Sequence, residues 1–142
     1  MDLRQLTPDL AVSEQIRPED VARLAEAGFK VLINNRPDNE APAGCNHRAM
    51  QAAASAAGIE YHYLPFHPGQ ITPDLITGFG TATSRDKPAF AYCRSGNRST
   101  ILWALDQAGK RPEREILEIA ARAGYDLSGN RAMIASLASR AG

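Results

Sequence analysis

Ala89-Phe90-Ala91-Tyr92-Cys93-Arg94-Ser95-Gly96-Asn97-Arg98-Ser99 joins an apolar run of strand length to a tight polar turn and the start of a helix. A cysteine at a strand end, one glycine in the turn and a helix N-terminus behind it make an anion cradle. Loop N–H groups can turn inward, and the helix dipole adds positive potential at its start. Arg98 supplies a planar fork of donors for an oxyanion. The same field favours the thiolate form of Cys93 at neutral pH. This is the equipment of a cysteine nucleophile that acts on, or carries, a group bound through oxyanions.

Outward from this stretch, strands and helices alternate. Leu10-Ala11-Val12 reads as a short strand. Pro18 stands at a first helical position, with Val21, Leu24 and Ala25 on an apolar face and Gly28 at the stop. Lys30 to Asn34 predicts a buried strand. Arg36 to Asn46 is a polar loop, His47 to Ala57 a helix ending at Gly58, and Glu60 to Leu64 a third strand. Thr72 predicts the cap of a helix from Pro73 to near Ser84, weakened by Gly78 and Gly80. A helix from Ser99 to Ala108 follows the cysteine loop, then helices at Pro112–Ala123 and Asn130–Arg140. The alternation implies one compact α/β domain over residues 1–142, with a mostly parallel sheet of about four to five strands flanked by helices. Ligands of such sheets gather at the carboxyl ends of the strands, where Cys93 and the loops after Asn34 and Leu64 lie.

Composition excludes several classes. The chain has 142 residues and a formal net charge of 0, so no basic excess points to nucleic acid. No apolar run is long enough to span a membrane, and residues 1–5 hold no apolar stretch of signal-peptide length. Two cysteines, Cys45 and Cys93, make neither a disulfide framework nor a zinc site, and a reducing cytoplasmic home is expected. No metal or organic cofactor is called for.

Cys93-Arg94-Ser95-Gly96-Asn97-Arg98-Ser99 resembles the active-site loop of rhodanese-like sulfurtransferases and, less closely, the phosphate loop of protein tyrosine and dual-specificity phosphatases. Four pieces together resemble the bacterial family called beta-lactamase-hydrolase-like, phosphatase-like domain. They are Val12 to Ile16, Gly28 to Asp38, Gly58 to Tyr61, and Ala91 to Ser99. The resemblance implies a compact protein-tyrosine/dual-specificity-phosphatase-like fold. It also implies Cys93, Arg98 and Ser99 as catalytic residues, with Ser99 hydrogen-bonded to the thiolate. Members occur alone or fused to persulfide dioxygenases, which implies such an enzyme, or another thiol acceptor, as partner.

Three departures from the phosphatase pattern favour sulfur chemistry. Four residues, Arg94 to Asn97, separate Cys93 from Arg98 where those phosphatases have five. Tyr92 stands where they usually have histidine. Pro65 to Gln70 contains no aspartate to protonate a leaving oxygen, and the first one is Asp74. The expectation is therefore a sulfurtransferase that carries sulfane sulfur as a Cys93 persulfide, from thiosulfate or glutathione persulfide to a thiol. Arg94, Ser95, Gly96 and Asn97 form its anion-binding loop. The alternative is a phosphatase acting on a phosphorylated substrate through a cysteinyl-phosphate, with Cys93 and Arg98 in the same places. A non-catalytic anion-binding module is the third reading. Arg36 and Glu40, past the second strand, are candidates to orient Arg98 or bind the donor. His67 stands where a general acid would be useful. Cys45 could resolve or relay a persulfide from a flexible loop.

Overall fold

The computed structural model describes residues 2–84 and 86–141. Its elements run β1 (Arg4–Thr7), β2 (Leu10–Ser13), α1 (Pro18–Glu26), β3 (Val31–Asn34), α2 (His47–Ala57), β4 (Glu60–Tyr63), α3 (Pro73–Thr83), β5 (Ala89–Tyr92), α4 (Asn97–Gln107), α5 (Glu113–Arg122) and α6 (Arg131–Ala141). Short 3-10 turns occupy Asp38–Glu40 and Ser128–Asn130. The sheet order is β1-β2-β5-β3-β4. All neighbours pair in parallel except β1, which runs antiparallel to β2 at the edge.

Alternation along the central strands sends side chains to two helical layers. Val31, Ile33, Ala89 and Ala91 join the core under α3 and α4, while Leu32, Phe90 and Tyr92 pack with Val21, Leu24, Met50 and Ala54 of α1 and α2. Helix α4 is buried continuously from Ser99 to Leu105, so it lacks the one-sided apolar stripe of a surface helix. The expected cap of α3 is present, with Thr72 Oγ1 accepting from Leu75 N at 3.1 Å. Gly78 and Gly80 do not break that helix. Gly80 is where it crosses α4, and a β-carbon there would collide with the Asp106 carboxylate.

Two expectations are corrected. The alternating pattern begins with an extra strand, because β1 carries one buried side chain, Leu6, among polar neighbours and gives no strand-like apolar run. Cys45 is not on a solvated loop: it is 2% exposed, in a segment folded back on itself by Cys45 N–H donating to Pro42 O.

Candidate active site

Register decides what meets at the rim. Ser13, Asn34 and Tyr92 are level across β2, β3 and β5, so Glu14, Asn35 and Cys93 leave the sheet side by side. Cys93 N–H donates to Ser13 O at 3.4 Å, and Gln15 N–H to Arg94 O at 3.2 Å. These bonds hold the start of the cysteine loop against the segment after β2.

Within the loop, Gly96 N–H donates to Cys93 Sγ at 3.1 Å. Gly96 has φ +93°, a conformation that glycine adopts without strain, and it turns the chain into α4. Asn97 N–H donates to Ser95 Oγ at 3.3 Å. Among the described residues, the N–H groups of Arg94, Ser95, Arg98 and Ser99 have no protein acceptor. They leave donors of a helix N-terminus and its preceding turn available to an anion.

Arg98 is braced from the far side. Its Nη2 donates to Glu40 Oε1 at 2.6 Å, and its Nη1 to Glu40 Oε2 at 3.2 Å and to Phe66 O at 2.7 Å. Both partners are largely buried. The guanidinium beside it holds the Glu40 carboxyl below the usual carboxylate range, against burial, and the charges of Arg36 and His67 add to the effect. Among the described residues Arg98 Nε has no partner, and it remains for a ligand. Glu40 thus stands where a residue orienting Arg98 was expected. Arg36 donates from Nη1 to Gln15 Oε1 at 3.1 Å, and its buried Nε has no partner among the described residues. His67 is exposed, close enough for its charge to act on Glu40.

Two expected contacts differ. Ser99 Oγ donates its single proton to Asn35 Oδ1 at 2.8 Å and therefore does not donate to the Cys93 sulfur. The side chain of Arg94 is exposed and lines an outer cleft with Glu14, Ser95 and Tyr125. Only its backbone belongs to the cradle.

Asn35 is one of two residues that sequence reasoning missed. Fully buried, it donates from N to Tyr92 O and from Nδ2 to Leu64 O, and accepts from Phe66 N and Ser99 Oγ, all at 2.8–2.9 Å. One side chain and its backbone tie together β5, the β4–α3 loop and the first turn of α4. Its only sequence signal is an amide directly following a buried strand. Tyr125, also missed, donates from its hydroxyl to Ser95 O at 3.1 Å.

A strand–cysteine loop–helix unit thus stands at the carboxyl edge of a mostly parallel sheet, with an arginine closing the loop. A comparison with protein families matches residues 2–110 to "Beta-lactamase hydrolase-like protein, phosphatase-like domain", and the chain belongs to that family. It is similar to the beta-lactamase hydrolase-like protein of Xylella fastidiosa, with 31% identity over 130 residues. That match covers 89% of this chain and 30% of the relative, so the chain spans under a third of the relative's length. Among solved structures, a candidate phosphatase from Neisseria meningitidis superposes with TM-score 0.83 and 28% identity, over 96% of this chain and 99% of that one. TpbA of P. aeruginosa, solved as a Cys-to-Ser variant with phosphotyrosine, shares the fold at TM-score 0.68 and 16% identity, over 99% and 90% of the two chains. No helix among the described residues is long and apolar enough to cross a membrane.

Proposed function

We propose that this domain is a cysteine-dependent phosphatase acting on phosphate monoesters, with Cys93 as nucleophile and Arg98 as the phosphate-binding arginine. The observation that supports this most is the Arg98–Glu40 brace, which presents a fixed guanidinium, its Nε unclaimed, on the same loop as Cys93. The family membership and the fold point the same way.

In the first step the Cys93 sulfur forms a bond to phosphorus as the bond to the ester oxygen breaks. Arg98 and the unclaimed loop N–H groups hold the equatorial oxygens as charge develops. The leaving oxygen takes a proton from His67, whose charge reaches Glu40 beside Arg98. Water then attacks phosphorus, gives its proton to the His67 imidazole, and releases orthophosphate and the Cys93 thiolate. Ser99 acts through Asn35 by holding the first turn of α4 in place. The phosphotyrosine bound by TpbA suggests aryl phosphates as first substrates to try. Steady-state hydrolysis of an aryl phosphate, lost in Cys93→Ser with the fold retained, tests the proposal; hydrolysis that survives the substitution removes Cys93 from the mechanism.

A second reading, sulfur transfer, is favoured by the four-residue spacing from Cys93 to Arg98 and by the lack of an aspartate between Pro65 and Gln70. Here the thiolate attacks the sulfane sulfur of thiosulfate, the S–S bond breaks and sulfite leaves with the electron pair. The persulfide sulfur then passes to an acceptor thiolate and Cys93 is regenerated. A persulfide dioxygenase would be a fitting partner for that chemistry, and a reducing cytoplasm would suit either thiol reaction.

A further inference from the structure

The Ser95–Gly96 peptide unit is gripped at both ends. Its carbonyl oxygen accepts from the Tyr125 hydroxyl at 3.1 Å, and its N–H donates to Cys93 Sγ at 3.1 Å. In a planar trans peptide the C=O and N–H point in opposite directions, so fixing one fixes the other. We propose that Tyr125 is a positioning residue for the nucleophile: its hydroxyl holds this peptide so that the Gly96 N–H stays on the sulfur and stabilises the thiolate.

The packing supports this. A β-carbon at Gly96 would sit on the Tyr125 hydroxyl, so the ring lies directly against the turn. Tyr125 follows α5 and lies beyond residues 2–110, the span that matches the family. The grip is supplied by the C-terminal part of this chain. Burial, the largest effect, holds Tyr125 as a neutral phenol to higher pH than usual, so it keeps the proton it donates. The nearby Cys93 charge adds to that shift, which marks the two groups as electrostatic neighbours. A donor on the carbonyl also polarises the peptide and strengthens its N–H as a donor.

The inference rests on Cys93 being a thiolate nucleophile and does not depend on whether phosphorus or sulfur is transferred. The ionisable groups around Tyr125 and the loop are Arg4 and Asp2 from the β1 end, Glu14 after β2, Arg94, and Asp126 and Arg131, which line a second cleft with the ring. Arg98 groups instead with Glu40, Arg36 and His67. None of these is changed by Tyr125→Phe, which removes one hydroxyl and keeps the ring.

The test is the rate of iodoacetamide alkylation of Cys93 in the full chain against pH, for wild type and Tyr125→Phe. The expected result is an upward move of the alkylation midpoint by about half a unit or more, or roughly threefold slower reaction below the midpoint. Superimposable profiles overturn the inference. So does a variant whose rate rises at every pH with an unchanged midpoint, because that reports a loosened loop. A wild type with the midpoint of an ordinary exposed thiol overturns the reading of Cys93 itself. As a check without any variant, the Tyr125 ring resonances of the wild type must shift over the same pH range as Cys93 alkylation. A ring that does not respond also overturns the inference.

Discussion

Glu40 and Arg98 face each other through two hydrogen bonds, 2.6 and 3.2 Å long, from residues 58 positions apart. Glu40 ends the short turn after β3, and Arg98 lies in the first turn of α4. The carboxylate occupies both terminal nitrogens, and the Phe66 carbonyl shares Nη1, so the guanidinium plane is fixed before any anion arrives. Glu40→Gln keeps the shape but lowers the charge and loses one acceptor. We expect aryl phosphate turnover to fall by roughly 10-fold or more, most of it in kcat/KM. Unchanged kinetics would show that Arg98 needs no brace.

The same pair sets a pH dependence of stability. In the fold the Glu40 carboxyl lies below its ordinary value of 4.5, chiefly through the hydrogen bond from Arg98. A carboxyl with a depressed folded value contributes stability that is complete above its unfolded value and lost as pH falls through the folded one. Wild-type denaturant midpoints should therefore drop below about pH 4.5 more steeply than those of Glu40→Gln. Parallel curves would contradict the shift.

Asn35→Ala should be the most destabilising polar substitution near the site. It leaves Leu64 O and the Ser99 hydroxyl without their partner in a buried region, at a cost of about 2–3 kcal/mol. Thermal unfolding would record this as a fall of roughly 4–12 °C for a domain of this size. Activity should fall further than the loss of folded protein explains, because the first turn of α4 loses its tether.

Gly96→Ala meets two obstacles, a φ of +93° and the Tyr125 hydroxyl, with Ser13 O 3.2 Å from the added carbon. The loop must then reorganise and withdraw the N–H from Cys93. The expected outcome is near-complete loss of turnover with about 1–3 kcal/mol of destabilisation, measured by kinetics and denaturant melts on the same sample. An active variant would mean the turn tolerates another geometry.

His67 is exposed, and among the described residues its ring makes no hydrogen bond, so its removal should spare stability. If it protonates the leaving oxygen, His67→Ala should slow alkyl phosphates roughly 100-fold or more and p-nitrophenyl phosphate much less, since nitrophenolate leaves without help. Equal losses on both substrates would assign His67 to binding.

The cysteine loop, the strands behind it and the helix that follows were legible because each carries a local signal. Ala89 to Tyr92 is an apolar run, Gly96 marks a turn, and Thr72 with Pro73 marks a cap. Glu40 and Arg36 could be placed at the rim because they follow a recognisable buried strand. What escaped was non-local. Strand β1 has one inward residue, Leu6, and exists because β2 offers it an edge. Cys45 sits in a polar stretch yet is buried by the fold around it. Ser99 and Asn35 choose each other across 64 positions, and Tyr125 reaches Ser95 across 30. No periodicity or motif encodes such pairings. The preference for sulfur chemistry came from loop length and a missing aspartate, features that the family and fold outweigh.

The most direct test of the central claim is intact-protein mass spectrometry after rapid acid quench of the wild type with excess aryl phosphate. A phosphoryl group on Cys93 adds about 80 Da and should be absent in Cys93→Ala. Finding no such adduct under turnover, with a gain of about 32 Da on incubation with thiosulfate instead, would contradict the phosphatase account and assign the thiolate to sulfur transfer.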